Sequence, residues 1–359
     1  MSQNSVRDAV EAFGRGEIVV VTDDNDRENE GDLIIAAAHA TPEKMAFIIR
    51  HTCGIVCAPL TGEIARRLSL APMVADNDAI HGTAFTVSVD YRHGTTTGIS
   101  AEERTATVRA LANGNTGRSD FVRPGHIFPL IAKDGGVLMR SGHTEAAIDL
   151  CKLAGIEPVA AICELVNDDG TVMRGNQVAG FAGHHKLKRI AVADLIAYRQ
   201  AREKLVTRVA EFPVASELGE FIGYAYVTPF DKVHHYAFVY GDVGDGRDVP
   251  TRLHRASVVN DVFGGAKAIH AATARFKKAG RGVLVYLREG TSGVPTQALG
   301  EESTTSEQQR SEQWREVGLG AQILRDLGIN SIRLYATRAR TYVGLAGFGI
   351  EIAGTEPLE

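Results

Sequence analysis

Between residues 23 and 32 the chain reads DDNDRENEGD, and acids recur there at every second position: Asp24, Asp26, Glu28, Glu30 and Asp32. As extended chain these five would share one side, because side chains alternate faces with a period of two. Like charges opposed on a sheet cost about 0.2 to 1 kcal/mol each, so a positive partner is expected, and a divalent cation is the obvious one. A calcium loop of the EF-hand kind does not fit. Counted from Asp24, Asn29 stands where that loop needs glycine and Ile35 where it needs glutamate. The plain alternative is a solvated acidic turn, with Asp23 and Asp24 capping or orienting the loop.

Further along, RSGHTEAAIDL (residues 140–150) puts Arg140 and His143 at the start of a helix capped by Ser141 or Thr144. Helix N-termini attract anions, and an arginine adds paired hydrogen bonds to phosphate oxygens, so this reads as a phosphate seat. His143 alone is an ordinary helix-start residue; only pairing with the distant acids makes it a ligand. RPGHIFPL holds His126 between Pro124 and Pro129, a rigid setting suited to a general acid or base, although structural turn histidines are as common. ICELV places Glu164 in an apolar strand, where charge is seldom buried without purpose. GTTTGIS (residues 94–100) offers hydroxyls and glycines that can line a polyol.

The elements that must position these groups are a mixed α/β set. Helices are expected near 6–13 (from Ser5 and Asp8), 42–51 (Thr41, Pro42, Glu43), 101–112 (a Ser100/Glu103 capping box) and 144–154, closed by Gly155. EIVVVTD, GTAFTVSVD, GVLMR and VAAICELV read as strands. Around residue 200, LIAYRQAREKLVTRVAEF reads as a charged helical connection to a second unit. That unit is expected to hold a hairpin in FIGYAYVTPFDKVHHYAFVYGDV, strands in GVLVYLRE and SIRLYATR, and a long loop in GTSGVPTQALGEESTTSEQQRSEQW.

A chain of 359 residues exceeds what one core usually supports, so two domains are expected, at 1–205 and 206–359. The 44% apolar and 23% charged fractions are those of an ordinary globular protein. A net charge of -5 with interspersed signs argues against a nucleic-acid partner and for a small molecule. The N-terminus lacks the apolar core of a signal peptide and no run is long enough for a membrane span, so no membrane association is expected and the location is expected to be cytoplasmic. Cys53, Cys57, Cys151 and Cys163 form no C-x-x-C pair and read as buried free thiols.

Taken together and in order, DRENEGD, TTTGIS, RPGHIFPL, GHTEA and CEL resemble 3,4-dihydroxy-2-butanone 4-phosphate synthase of riboflavin biosynthesis over roughly residues 5–200. The resemblance implies a lyase that converts D-ribulose 5-phosphate to the four-carbon phosphate and formate with two Mg²⁺ or Mn²⁺ ions per site, in a homodimer. It implies Glu28 and His143 as metal ligands. Arg27, Glu28, Asp32, Thr97, Arg140, Ser141, Gly142, His143, Thr144 and Glu164 would bind the substrate, and His126, Glu164, Glu30 and Cys57 are the implied catalytic positions.

From about residue 206 the chain is similar to GTP cyclohydrolase II. RLHRASVVNDVFG parallels R-V-H-S-E-C-L-T-G-D-x-F-G, and REVGLGAQILRDLGI with VGLAGFGIEI parallels the family's last helix and strand. That enzyme's zinc is held by three cysteines. Here Ser257 takes the first position, the segment bearing the other two is missing after DVFGG, and no cysteine follows Cys163. Arg315 keeps one arginine of the family's apparatus. No zinc cofactor and no cyclohydrolase activity are therefore expected; His254 and His270 read as structural. The competing reading for this half is a repurposed enzyme rather than a binding or scaffolding module, and for the whole a sugar-phosphate or nucleotide-binding regulatory protein.

Overall fold

Local signals set several helices of the computed structural model, which describes residues 3–23, 27–229, 233–288, 318–337 and 350–358. The Thr41 hydroxyl accepts the Lys44 N–H ahead of α2 (Pro42–His51), and Ser100 and Glu103 form a reciprocal capping box on α4 (Ala101–Leu111). The first helix, α1, begins earlier than expected, at Gln3, and runs to Gly14, so Ser5 lies inside it. α3 spans Gly62–Arg67, α5 His143–Leu153 and α6 Asn176–His184.

These helices accompany a seven-stranded mixed sheet: β1 (Val19–Thr22), β2 (Gly31–Ala36), β3 (Cys57–Leu60), β4 (Val89–Tyr91), β5 (Phe121–Ile131), β6 (Ala160–Glu164) and β7 (Lys188–Ala191), in the order β4-β5-β3-β6-β2-β1-β7. All six residues of the central β2 are buried, with Leu33, Ile34 and Ile35 at 0% exposure. Burying each such side chain contributes about 1.5 to 3 kcal/mol, which pins the strand's register. That register sets Asp32 opposite Glu164 across β2 and β6, and Cys57 opposite Ile162 across β3 and β6. Three sequence elements of interest therefore end on one stretch of sheet.

Several expectations fail here for physical reasons. The acids of residues 23–32 are not one extended face: Arg27 and Glu28 form a turn, Asn29 is left-handed (φ 55°), and regular strand starts only at Gly31. Asp24 and Asp26 lie outside the described residues. GVLMR is not a strand but a short 3₁₀ turn at Gly136–Leu138, whose Val137 N–H is taken by buried Asp149. Most of GTAFTVSVD makes only isolated bridges at Phe85 and Thr86, and β4 begins at Val89. RPGHIFPL, in contrast, lies within the eleven-residue β5.

The chain divides between Tyr198 and Arg199 into two compact units. The helix α7 (Val192–Arg202) crosses that point, and the expected helical connection stops there, because Thr207–Ser216 is a strand, β8. It pairs along its length with β9 (Gly219–Val227), which pairs with β10 (His235–Tyr240) as the expected hairpin. β11 (Val249–Arg255), β12 (Gly282–Leu287), β13 (Ser331–Ala336) and β14 (Glu351–Pro357) complete a second sheet of order β14-β13-β11-β12-β10-β9-β8, with α8 (Lys267–Ala279) packed on β11 and β12. The expected long loop and Arg315 lie outside the described residues, as does most of VGLAGFGIEI.

Candidate active site and metal centre

The acidic loop is built around Asp23, whose side chain is fully buried. One oxygen accepts Arg27 Nη1 at 2.9 Å and the Glu28 N–H at 3.0 Å, and the other accepts the Glu30 N–H at 2.9 Å. Asp23 thereby fixes the backbone that presents Glu28 and Glu30. Arg27, 2% exposed at its side chain, also donates to Glu28.

Across from this loop stands the first turn of α5. No side chain caps that helix: its N-cap is Gly142 rather than the expected Ser141 or Thr144. A Cβ on Gly142 would lie 2.5 Å from Arg140 Nη1 and 3.1 Å from Arg27 Nη2, so two guanidinium groups converge on this helix start. Arg140 is held by Glu145 (2.7 Å), the His81 carbonyl (3.2 Å) and the Thr83 hydroxyl (2.9 Å), which ties residues 81–83 to the site. Thr144 is buried in the same turn.

His143 is the meeting point. Its Nδ1 lies 3.7 Å from Glu28 and 3.7 Å from Asp32, while its buried Nε2 and the buried Oδ1 of Asp32 have no hydrogen-bond partner. Burial pushes the imidazole towards neutrality, but the charge of Asp32 and the adjoining Glu28 outweigh it and lift His143 to about 9. Burial likewise pushes Glu28 up, and the neighbouring His143 and Arg27 outweigh it, holding the carboxyl at about 2. Asp32 goes the other way: burial raises it, against the pull of His143 and with help from Glu164. The pair Asp32–His143 thus retains a proton at neutral pH, where a cation would otherwise stand.

The donor set fits a metal ion. Asp23, Glu28 and His143 place ligand atoms within 4.8 Å of one another. Neighbouring ligands on an octahedral ion with bonds of about 2.1 Å lie about 3 Å apart, so a 3.7 Å separation closes with a small shift. Asp23 already accepts three hydrogen bonds within the loop, which leaves Glu28 and His143 as the pair better suited to hold a cation.

Other expected residues gather at the same place. Glu164 faces Asp32 across the sheet and accepts a hydrogen bond from Cys53 Sγ at 2.9 Å. Glu30 lies 3.6 Å from Arg174 and is raised by burial and by the charges of Glu28 and Glu164. Cys57 is buried, and burial together with Glu164 and Asp32 pushes its thiol up, so it stays protonated and is a poor nucleophile.

A second group is centred on His126. His126 Nδ1 lies 2.7 Å from Asp90 Oδ2 and its N–H donates to the other Asp90 oxygen at 2.8 Å, on the paired strands β4 and β5. Gly98, next to the exposed Thr97, packs on this pair: a Cβ there would lie 2.0 Å from Asp90 Oδ2. Among the described residues no hydrogen bond or ion pair joins His126 or Asp90 to Glu28, His143 or Glu164. Sequence reasoning missed Asp90, Glu145 and His81, the last 3.9 Å from Glu28. Asp90 left a trace as the acid ending an alternating run, and Glu145 as the acid of GHTEA, though neither acquires a role from sequence alone.

In the second unit Ser257, at the first cysteine position, accepts the Asn260 N–H and donates its own N–H to Asp261. His254 hydrogen-bonds Asp261 at 2.8 Å and stacks on Tyr286, whose hydroxyl donates to the same carboxylate; His270 is exposed on α8.

Residues 7–198 match the family model of 3,4-dihydroxy-2-butanone 4-phosphate synthase, and residues 207–357 that of GTP cyclohydrolase II. Two relatives from Arabidopsis thaliana each align with 99% of this chain: the monofunctional riboflavin biosynthesis protein RIBA 2, 46% identical over 77% of its own length, and the bifunctional protein RIBA 1, 43% identical over 69%. Among solved structures, RibBX, a two-domain 3,4-dihydroxy-2-butanone 4-phosphate synthase from A. baumannii, covers 98% of the chain and 99% of its own at TM-score 0.82 and 38% identity. A synthase crystallised with two magnesium ions covers 55% of this chain and 97% of its own, at TM-score 0.54 and 47% identity. Among the described residues no helix is long and apolar enough to cross a membrane.

Proposed function

Because this chain belongs to the 3,4-dihydroxy-2-butanone 4-phosphate synthase family of riboflavin biosynthesis, we propose that it converts D-ribulose 5-phosphate to L-3,4-dihydroxy-2-butanone 4-phosphate and formate. The observation that carries this is the meeting of Glu28, Asp32 and His143 around a buried, incompletely hydrogen-bonded centre beside two arginines.

The chemistry needs an enolisation, loss of water at C1, a carbon shift and hydrolytic release of C4. One acid or base supplies only about 10²- to 10⁴-fold, so several groups must act. Arg27 and Arg140, with the uncapped start of α5 at Ser141, Gly142 and Thr144, suit the phosphate. Glu28 and His143 would hold Mg²⁺ or Mn²⁺, two ions per site following the family, and the bound cation supplies Lewis-acid stabilisation of the sugar's oxyanions. Asp32 and Glu164, facing each other, and Glu30, whose charged form is disfavoured, would accept and return protons. Asp90 orients His126 as an acid or base for a substrate group reaching β5. Thr97 lies beside that pair. Cys57 shapes the floor as a neutral thiol.

For the domain from residue 206 we propose loss of the cyclohydrolase reaction. A serine hydroxyl at the first position and no cysteine after Cys163 leave no thiolate set for zinc. Its role is then binding or scaffolding, in a homodimer and in the cytoplasm. The test supplies the full chain, and residues 1–205 alone, with ribulose 5-phosphate plus Mg²⁺ and with GTP. Formate from the sugar in both proteins is expected. No formate from the sugar refutes the synthase reading, and formate released from GTP by the full chain refutes the loss.

A further inference from the structure

Beside the acidic loop lies a second set of ligand atoms that the proposed sugar chemistry does not use as a set. Cys53 follows α2; its Sγ lies 3.5 Å from Cys163 Sγ and 2.9 Å from Glu164 Oε2. The ligand atoms of all three residues lie within 4.8 Å of one another. Cys53 is exposed and Cys163 buried, so the cluster has one open side.

We propose that Cys53, Cys163 and Glu164 form a binding site for a thiophilic divalent cation of the zinc type, and that its occupancy withdraws the Glu164 carboxylate from turnover.

Distances favour this reading. Tetrahedral zinc with bonds of about 2.3 Å to sulfur and about 2.0 Å to oxygen separates two sulfurs by about 3.8 Å and sulfur from oxygen by about 3.5 Å. The sulfurs, at 3.5 Å, need to part by only a few tenths of an ångström, and the 2.9 Å sulfur–oxygen contact lengthens once the shared proton leaves. A change of a few tenths of an ångström is within what side-chain rotation about the Cα–Cβ bonds of Cys53 and Cys163 supplies. Three protein ligands with a fourth position towards solvent is a common open zinc arrangement. On binding, two S–H bonds break, two metal–sulfur bonds form, two protons go to solvent, and no oxidation state changes.

Charge decides between this and the other chemistry open to a close thiol pair, oxidation to a disulfide. The Glu164 carboxylate sits against the thiol pair, and the hydrogen bond shared with Cys53, burial and the charge of Glu164 push the Cys163 thiol up. That carboxylate suppresses the free thiolate that would attack peroxide and attracts a dication that replaces the protons. Two sulfurs also select against Mg²⁺, which keeps to oxygen ligands, so this site and the pair Glu28–His143 sort soft from hard ions. The inhibitory part rests on the role proposed above for Glu164; the binding part does not.

The test uses the full chain, kept reduced with a phosphine, and Co²⁺ as probe. A near-ultraviolet sulfur-to-cobalt charge-transfer band, displaced by Zn²⁺, is expected in the parent and in Cys151→Ala. Cys53→Ser and Cys163→Ala are each expected to weaken Co²⁺ binding by at least about 100-fold, since even outer-shell partners are worth about 10- to 100-fold. No band in the parent, an unchanged band in Cys53→Ser, or a Cys53–Cys163 disulfide as the product of metal exposure overturns the site. Formate production is then followed with Zn²⁺ at saturating Mg²⁺: inhibition in the parent that is at least tenfold weaker in Cys53→Ser supports the full proposal. A cobalt band without zinc inhibition leaves the site standing and overturns the role given to Glu164. Equal inhibition of parent and Cys53→Ser overturns the regulatory part.

Discussion

Asp23→Asn tests whether the acidic loop owes its shape to one buried carboxylate. The parent side chain, at 0% exposure, accepts from Arg27, Glu28 and Glu30. An amide of the same size has one acceptor oxygen and turns an NH₂ group towards at least one of these donors. A buried donor left unsatisfied costs about 1 to 3 kcal/mol, and breaking a buried ion pair about 3 to 5 kcal/mol. Arg27 keeps Glu28 as partner, so we take about 3 kcal/mol as the combined loss. If that destabilises only the loop conformation that presents Glu28, cation affinity falls by about two decades, at 1.4 kcal/mol per decade. Mn²⁺ titration by calorimetry reads the affinity, and circular dichroism confirms the fold. Arg27→Lys, which keeps the charge but loses the planar fork, is expected to show a smaller loss in the same direction. Asp23→Asn protein that binds Mn²⁺ within threefold of the parent refutes the reasoning.

Gly98→Ala drives a methyl group to 2.0 Å from Asp90 Oδ2 at a backbone φ of 77°; the expected result is a loss of kcat of about 10²-fold, the lower value for one acid or base, with little change in KM, read by formate kinetics. In the second unit burial holds His254 below its ordinary value, against Asp261, so the unfolded chain binds more protons there. Its contribution to stability is full above the unfolded value of about 6.5 and is lost as pH falls through it, so melting between pH 7.5 and 5.5 should drop in the parent and less steeply in His254→Gln. Saturating Mg²⁺ at about 100 times its dissociation constant is expected to stabilise the first unit by about 2.7 kcal/mol; Glu28→Ala and His143→Ala should show no such calorimetric shift.

What could be read along the chain was whatever is local. The Thr41–Pro42 start and the Ser100/Glu103 box need only neighbouring residues, and the motif residues Glu28, Asp32, His143 and Glu164 do converge. What depended on partners far away stayed hidden. Thr207–Ser216 is mostly exposed and follows directly on the charged run of α7, so it reads as a continuation of a surface helix until β9 pairs with it. The strand β5 carries prolines at 124 and 129, which argue against a strand on local grounds, yet β3 and β4 accept it. The same long-range pairing hid Asp90, which reaches His126 across 36 residues.

The sheet also explains why this centre calls for a cation. The observed register of β2 sets Asp32 against Glu164, two carboxyl groups directly opposed on antiparallel strands. The loop that Asp23 folds back brings Glu28 and Glu30 to the same pair, adding charge where burial already penalises it. Within the described residues the nearest compensation is the proton on His143, together with Arg27 and Arg174 at the margins. A proton on an imidazole is a single charge that a dication can displace, because coordination needs the neutral ring. Strand register together with the Asp23-built loop therefore brings these carboxyl groups to one place and creates a demand that a bound cation would meet.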